Sequence, residues 1–301
     1  MNLFYSLARA ALLALFVFTL VVDSAFARDA QVRDVVKKSY DVRPGGTLHL
    51  DMDHGNIEVE TTSGSKVVIE LERIAKAEDE DLAEEVLARH EYAFDKRGND
   101  VYIRSRYDDD RGMIKWRKRT KLKIHVLVLV PERYNVDFSN GAGNVDIVEV
   151  EGRIEGRTGA GNIMIDDVRG RVDVTSGAGN IEIAGDIESA EVNTGAGNIN
   201  LYGLQGAVEA NTGAGNVFAE ITRQPEDDSE LHSGAGNVTV ELDDDVSVYV
   251  DATAALGSAE CDFPLKVSKK WLKKSFSGEI NGGGPELRMF AGVGNVTLRR
   301  H

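Results

Sequence analysis

The 301-residue chain has few of the residues that form disulfides, kinks and thick globular cores. Its single cysteine excludes an intramolecular disulfide, and only five of its residues are proline. Aromatic residues make up 7% of the chain against 31 glycines, a composition that favours a thin core. The apolar run from Ala10 to Val22 is too short for a membrane-spanning helix, and no second long run follows it. We therefore do not expect a membrane-spanning protein.

The chain carries a formal net charge of −15, and its middle part is poor in positive charge. Residues 140–265 contain 24 acidic and 5 basic side chains. Such a surface repels phosphates, so duplex nucleic acid is not expected as a partner. The acids fall one to a strand, as Asp146, Asp173 and Glu182 do. Because polysaccharide-cleaving enzymes need clustered carboxylates, this spread argues against one.

The dominant pattern is the tetrapeptide Gly-Ala-Gly-Asn, which occurs six times at steps of 18 residues and finally 21. Each copy is followed by a short alternating strand such as Ile163–Ile165, and a glycine turn leads to a second strand. No coil of this length can bury its own apolar face, so successive coils must stack. The pattern predicts an all-β fold, a parallel β-helix with 18–21-residue coils. The copies begin at Gly141, Gly159, Gly177, Gly195, Gly213 and Gly234.

The last residue of each tetrapeptide is predicted to have a structural role. In stacked coils these asparagines lie one above another, and side-chain amides in such a column can hydrogen-bond along the stack. We interpret them as a structural ladder rather than as ligands, together with the asparagine of a last, variant copy. They are Asn144, Asn162, Asn180, Asn198, Asn216, Asn237 and Asn295.

The chain begins with a segment typical of export. A weakly positive head precedes the apolar run, and Ala25-Phe26-Ala27 matches a signal-peptidase site. We expect residues 1–27 to be a signal peptide, and the mature protein to reach the periplasm, the cell surface or the extracellular space.

Residues 28–130 are predicted to be an N-terminal region that caps the repeats, and residues 131–301 to be the repeats with degenerate C-terminal coils. Residues 45–72 resemble a decayed coil, and residues 79–90 have apolar residues on one helical face. Near the other end, residues 256–258 replace the tetrapeptide one step after its sixth copy. Cys261 falls in an inward position, where a small core hydrophobe is favoured over a reactive thiol.

Two short basic stretches contrast with the acidic middle, and each contains one of the two tryptophans. Tryptophan beside lysine and arginine suits contact with an anionic envelope lipid, lipopolysaccharide or acidic polysaccharide. The alternative is that both are solvated loops. The candidate residues are Lys115, Trp116, Arg117, Lys118, Arg119, Lys269, Lys270, Trp271, Lys273 and Lys274.

Neither metal binding nor catalysis has a clear signal. The tetrapeptide is only faintly similar to a calcium-binding nonapeptide, and it lacks that motif's carboxylate. The histidines at positions 54, 90, 125 and 232 lie in separate segments without ligand spacing. We therefore expect no cofactor, no metal and no catalytic residue.

These features together carry a family resemblance. Three features carry it: alternating strands of this period, Gly-x-Gly-Asn-Ile turns after a secretion signal, and a helix-bearing segment before the strand end at Val126–Pro131. With them the chain resembles the bacterial β-strand-repeat family named putative adhesin, a domain of unknown function. The resemblance covers residue 40 onward. It implies a β-helical fold and an envelope or surface location, and it brings no catalytic motif.

The sequence thus predicts a non-enzymatic exported envelope or surface protein, an adhesin or binding scaffold, whose partner is an envelope lipid, a polysaccharide or another envelope protein. The alternatives are a carbohydrate-active enzyme built on a β-helix and a calcium-stabilised surface repeat protein.

Overall fold

The computed structural model describes residues 30–107, 120–269 and 273–301. The expected signal peptide and its cleavage site lie outside the described residues. The described part is all-β with one short helix. The N-terminal elements are β1 Ala30–Asp41, β2 Thr47–Met52, β3 Asn56–Thr62, β4 Lys66–Ala77, α1 Glu80–Ala88, β5 His90–Arg97, β6 Asp100–Tyr107 and β7 Lys121–Pro131.

The remaining strands begin at residue 135 and carry the tetrapeptide repeats. They are β8 Asn135–Ala142, β9 Val145–Val148, β10 Glu151–Ala160, β11 Ile163–Ser176, β12 Ile181–Ala196, β13 Ile199–Leu204, β14 Val208–Ala214, β15 Val217–Ile221, β16 Ser229–Ala235, β17 Val238–Leu242, β18 Val248–Leu256, β19 Ala259–Cys261, β20 Lys266–Lys269, β21 Lys274–Ile280, β22 Glu286–Val293 and β23 Val296–Arg300.

Equivalent strands of successive repeats pair in parallel, residue against equivalent residue. Ile163 lies opposite Ile181, and Ile181 lies opposite Ile199, each one 18-residue step further along the chain. Parallel pairing follows because every coil runs in the same direction and offers the same hydrogen-bonding groups to the next. The fixed step therefore becomes a stack in which each position of the repeat forms a column.

Each coil contributes to two layers. The upstream layer consists of strands that lead into the tetrapeptide, and its order is β6-β2-β8-β10-β11-β12-β14-β16-β22-β18. The downstream layer consists of strands that leave it, in the order β7-β3-β9-β11-β12-β13-β15-β17-β23-β19. The long strands β11 and β12 run through a glycine corner and belong to both layers.

The core is a narrow strip of aliphatic side chains between the layers. Val174 and Val192 of the upstream layer are completely buried, as are Ile183 and Leu201 of the downstream layer. Side chains alternate between buried and exposed along these strands, as the sequence alternation predicts. Nearly all internal contact is therefore between neighbouring coils, which explains how so few aromatic residues suffice.

The tetrapeptide makes the corner between the layers, and its glycines are required by the closeness of the stack. Gly179 has a φ of 149°, and a Cβ there would overlap the carbonyl oxygen of Gly161 in the preceding coil. Gly213 has ordinary backbone angles, yet a Cβ on it would still lie 2.6 Å from the carbonyl oxygen of Gly195. The corner thus excludes side chains because neighbouring coils touch through their backbones there.

At the N-terminal end, β2 and β3 stack directly on the first complete repeat, as expected for a decayed coil over residues 45–72, but β4 does not continue that coil because it pairs antiparallel with β1 and β7. Leu48 lies opposite Val136, and Ile57 lies opposite Val145. Strands β6 and β7 then stack outside β2 and β3, although they come later in the chain. Helix α1 begins after Asp79, whose Oδ1 accepts the Leu82 N–H at 2.8 Å, and it packs beside β4 and β1.

At the C-terminal end the order of the coils differs from the order in the sequence. Strands β22 and β23, with the last Gly-x-Gly-Asn copy, pair with β16 and β17 of the sixth copy. Strands β18 and β19 pair with the outer side of β22 and β23. The expectation that residues 256–258 follow directly on the sixth tetrapeptide is therefore wrong, because the better-matched last copy occupies that position.

Cys261 lies at this end, in the inward position predicted for it. It lies opposite Leu298, is half-buried, and packs against the core. Burial raises the pKa of its thiol, which disfavours the reactive thiolate.

Candidate functional site

The tetrapeptide asparagines form a continuous column along the corner. The side-chain Oδ1 of each accepts a hydrogen bond from the backbone N–H of the next asparagine, at 2.8–3.1 Å. The column starts at Asn56 and ends at Ser258, whose N–H donates to Asn295 at 2.8 Å. Between these ends lie Asn144, Asn162, Asn180, Asn198, Asn216, Asn237 and Asn295.

The bonding in this column differs from the amide-to-amide ladder that the sequence suggested. Its main bond joins a side-chain oxygen to a backbone N–H. Amide-to-amide hydrogen bonds are added at two steps, from Asn198 Nδ2 to Asn180 Oδ1 at 3.3 Å and from Asn216 Nδ2 to Asn198 Oδ1 at 3.2 Å. Most of the amides are exposed rather than buried. The side chain satisfies an N–H that the corner turns away from the strand ladder, which is the usual use of asparagine in turns.

A second column lies on the inner side of the same corner. It consists of the buried hydroxyl residue that precedes five of the six tetrapeptides, and that hydroxyl donates to a glycine carbonyl of the preceding coil; at the first copy the Asn140 amide donates to Gly55 O instead. The distances are 3.0 Å for Ser176 to Gly161 and 2.9 Å for Thr212 to Gly197. The hydrogen bonds of both columns join one coil to the next, so they give the corner a structural role.

The basic tryptophan-containing stretches are largely outside the described residues. Those not described are Lys115, Trp116, Arg117, Lys118, Arg119, Lys270 and Trp271, and only the backbone of Lys269 is described. Lys273 is exposed, and Lys274 lies opposite Lys269 in the antiparallel pair of β20 and β21. The candidate anionic-surface contact therefore stays a prediction.

The structure reveals a site that the sequence reading missed, an acidic column on the outer face of the upstream layer. Six successive strands each contribute one acidic residue, and each of these lies directly opposite the next in the neighbouring strand. His49 precedes the column and pairs with Asp137 at 2.9 Å, while Arg288 follows it. The acidic column is Asp137, Glu155, Asp173, Glu191, Glu209 and Glu230.

The carboxylates in the middle of this column repel one another. Asp173 and Glu209 flank Glu191 on either side, and their charges raise the pKa of Glu191 above its ordinary value. Reading the acids at the 18-residue period would have found the column, because five of its members follow at that step.

A polar-aromatic row runs beside the acidic column, two residues further along each strand on the same face. It consists of Asn193, Asn211, His232 and Phe290, which lie opposite one another in successive strands. The amide nitrogen of Asn211 donates to Asn193 Oδ1 and to Glu209 Oε1, both at 3.1 Å. The rings of His232 and Phe290 stack with centroids 5.0 Å apart.

On its other side the acidic column borders a groove with a volume of about 460 Å³. Carboxylates from four strands line it, and the guanidinium groups of Arg171 and Arg288 lie at its margins. The groove thus offers charged groups of both signs to a molecule that lies across several coils.

Two histidines of the N-terminal region have side-chain partners in other strands. His125 pairs with Glu58 at 3.0 Å on the surface, while His90 is buried and its Nε2 lies 2.7 Å from Ser105 Oγ. Burial, with the nearby Arg73 charge, lowers the pKa of His90 to about 4. It is therefore a neutral packing residue of the N-terminal region.

Within the described ranges, no three or more histidine, cysteine or acidic side chains are arranged to hold a metal ion. In that part of the chain, α1 is the one helix, and its nine residues are too few to cross a bilayer.

The stacked repeats, the glycine corners and the long exposed faces define an all-β repeat protein of solenoid type. The family model described as Toastrack DUF4097 matches residues 46–299. The chain therefore belongs to the Toastrack DUF4097 family, and the predicted membership of the bacterial putative-adhesin type, a domain of unknown function, is confirmed.

Among solved structures, a putative adhesin from Bacteroides fragilis is similar over 89% of this chain and 97% of its own, with 12% identity and a TM-score of 0.44. A putative cell adhesion protein from Clostridium sporogenes covers 89% and 100%, with 12% identity and a TM-score of 0.28. A putative lipid binding protein from Parabacteroides distasonis covers 87% and 96%, with 10% identity and a TM-score of 0.29. Likenesses this low carry no argument about function. No curated protein matches the chain.

Proposed function

We propose that the protein is an exported, non-enzymatic binding scaffold of the bacterial envelope or cell surface, an adhesin in the broad sense, wound as a parallel β-helix. Residues 1–27 direct its export, residues 28–130 cap the stack, and residues 131–301 carry the repeated coils. These assignments extend the family membership, which itself leaves the activity open.

The observation that carries this proposal is the column arrangement of the outer faces. Because equivalent residues pair in register, an outward position recurs at every strand spacing of about 4.8 Å along a face, and in the acidic column it carries a carboxylate each time. A stiff surface with this repeat suits a long partner that is itself repetitive. Envelope polysaccharides and ordered lipid headgroups have that property, and the basic tryptophan-containing stretches would add an anionic contact.

The proposal is tested by cell fractionation followed by binding of the mature protein to an array of envelope lipids, lipopolysaccharides and polysaccharides. We expect recovery in the periplasmic or outer fractions and retention of at least one envelope component. Recovery in the cytoplasm, or a mature protein that binds no array component, would contradict it.

One observation favours a second candidate, a carbohydrate-active enzyme. The groove is lined by acidic residues whose backbones lie about one strand spacing apart, and this spacing is close to the carboxyl separation in retaining glycosidases. Such enzymes, however, hold their two carboxyl groups in different environments, whereas Asp173, Glu191 and Glu209 share one exposed column. Release of new reducing ends from a bound polysaccharide, lost in Glu191→Gln, would establish the enzyme and refute the scaffold.

A further inference from the structure

The upstream face near the C-terminal end combines three kinds of group that suit a sugar chain. The first is an exposed aromatic surface. Phe290 is 38% exposed while one side of it is covered by the His232 ring, at an interplanar angle of 20°. Aromatic rings held in this way offer a flat apolar surface to the C–H face of a pyranose ring.

The second kind of group is a set of planar polar side chains held in fixed positions. Asn211 donates to both Asn193 and Glu209, so each of the three restricts the orientation of the next. Asn211 lies directly opposite His232, so this polar group is next to the aromatic pair. Adjacent hydroxyls of a sugar ring need donors and acceptors at such close spacing, and groups fixed beforehand lose little entropy on binding.

The third is the negative charge of the acidic column, which selects among sugar chains. Asp173 and Glu191 form no ion pair among the described residues, because the nearby arginines at positions 153, 171 and 288 pair with Glu155, Glu188 and Glu286. An anionic polysaccharide would be repelled along this column, whereas protonated amino groups would relieve the repulsion between neighbouring carboxylates. Charge therefore favours a sugar chain with amino groups.

The spacing of the coils also fits an extended sugar chain. The groove and the polar-aromatic row cross the strands, so a ligand along them passes one coil every 4.8 Å or so. That spacing is comparable to the length of one sugar ring in an extended chain, so successive sugars would meet successive carboxylates of the acidic column.

We propose that the acidic column and the polar-aromatic row bind a linear oligosaccharide whose sugars carry amino groups. The inference rests on the proposed function, since it names the ligand class of one face of the scaffold. The rings of Phe290 and His232 stack on a sugar at one end, the amides bind hydroxyls, and the carboxylates pair with ammonium groups.

The test is calorimetric titration of the mature protein at low salt with a fully deacetylated glucosamine hexasaccharide. The N-acetylated hexasaccharide, a galacturonate hexasaccharide and a lysine hexapeptide serve as comparison probes. We expect the amino sugar to bind best, and both Phe290→Ala and the double variant Glu191→Gln, Glu209→Gln to weaken it at least about tenfold.

Matched controls lie on the outer face of the downstream layer, where Phe218→Ala and Glu182→Gln remove the same groups. They should leave binding within about twofold. Circular dichroism confirms that each variant is folded.

Three results would overturn the inference: no binding of the amino sugar at low salt, equal losses in the control variants, or equally tight binding of the lysine peptide with no effect of Phe290→Ala. The last would show an unspecific attraction of cations. If the array detects another envelope component while the amino sugar fails, this inference falls and the proposed scaffold function stands.

Discussion

The stacked corner makes a sharp prediction for Gly179→Ala. The residue has a φ of 149°, and a methyl group there meets the Gly161 carbonyl group of the preceding coil. A side chain in a backbone region reserved for glycine costs about 1–3 kcal/mol. Forcing atoms into a packed interior costs typically about 1–3 kcal/mol more. We therefore expect a loss of roughly 2–6 kcal/mol, a large part of the stability of an ordinary domain.

The assay is equilibrium urea unfolding followed by far-ultraviolet circular dichroism, combined with hydrogen exchange. Gly179 N–H donates to Ala196 O at 2.9 Å, so amides of the coils on both sides should lose protection in the variant. The control is Ala178→Ser, because that side chain is exposed in the same corner and its change should stay within about 0.5 kcal/mol. If both variants unfold at the same urea concentration, the argument for backbone contact at the corner is refuted.

Three further predictions concern polar groups. Burial lowers the pKa of His90 to about 4 in the folded protein, so as pH falls below 6.5 the unfolded chain binds a proton at this histidine before the folded protein does. The free energy of unfolding therefore keeps the full contribution of His90 above pH 6.5 and loses about 3 kcal/mol towards pH 4. The urea midpoint of His90→Gln should therefore fall less over that range than that of the unmodified protein. Asn180→Ala removes the acceptor of the Asn198 N–H and should cost about 1 kcal/mol, whereas Asn180→Asp should restore most of it. Glu191→Gln should stabilise the fold slightly, by about a few tenths of a kcal/mol at low salt because water screens this exposed column, and the effect should vanish in 1 M salt, as measured by thermal unfolding.

Each of these has a result that would contradict it. Parallel pH profiles for the two His90 forms would exclude that residue as a source of acid sensitivity. Equal stability of the alanine and aspartate variants at position 180 would show that the column adds nothing to the fold. A salt-independent effect at Glu191 would indicate a packing change instead of charge repulsion.

The middle of the fold was predictable because a single repeat dictates local structure and neighbour alike. Gly-Ala-Gly-Asn sets the corner, the alternation of Ile181 and Ile183 sets the buried face, and the 18-residue step sets the partner. In such a stack, the residues that determine the local structure also determine which strands pair. The helix after Asp79 was predictable for a similar reason, since its cap and its apolar face are local.

The ends of the stack were not predictable from the same pattern. Strand β22 lies between β16 and β18, although β18 precedes it in the chain. A coil with the right alternation can pair with any exposed end, and the choice depends on how well whole coils fit together. The order of the coils in the sequence does not show which coil fits best on a given end of the stack.

The acidic column shows a different limit. The acidic residues and their 18-residue spacing are present in the sequence, but each of these acids stands alone among its sequence neighbours. Glu191 and Glu209 become a site only when the stacking of coils is applied to the outward positions as well as the inward ones. The same holds for Asn211 and Phe290, whose partners lie on other coils.

The stacking of coils in register is tested most directly by a distance between two spin labels. With Cys261 replaced by serine, labels at Asp137 and Glu230 lie on exposed positions of one column, five strand spacings apart. Pulsed electron spin resonance should give a backbone separation of about 24 Å. If both strands of every repeat were instead laid side by side in one sheet, the separation would be about twice as large, and a distance of that size would contradict the stacked fold.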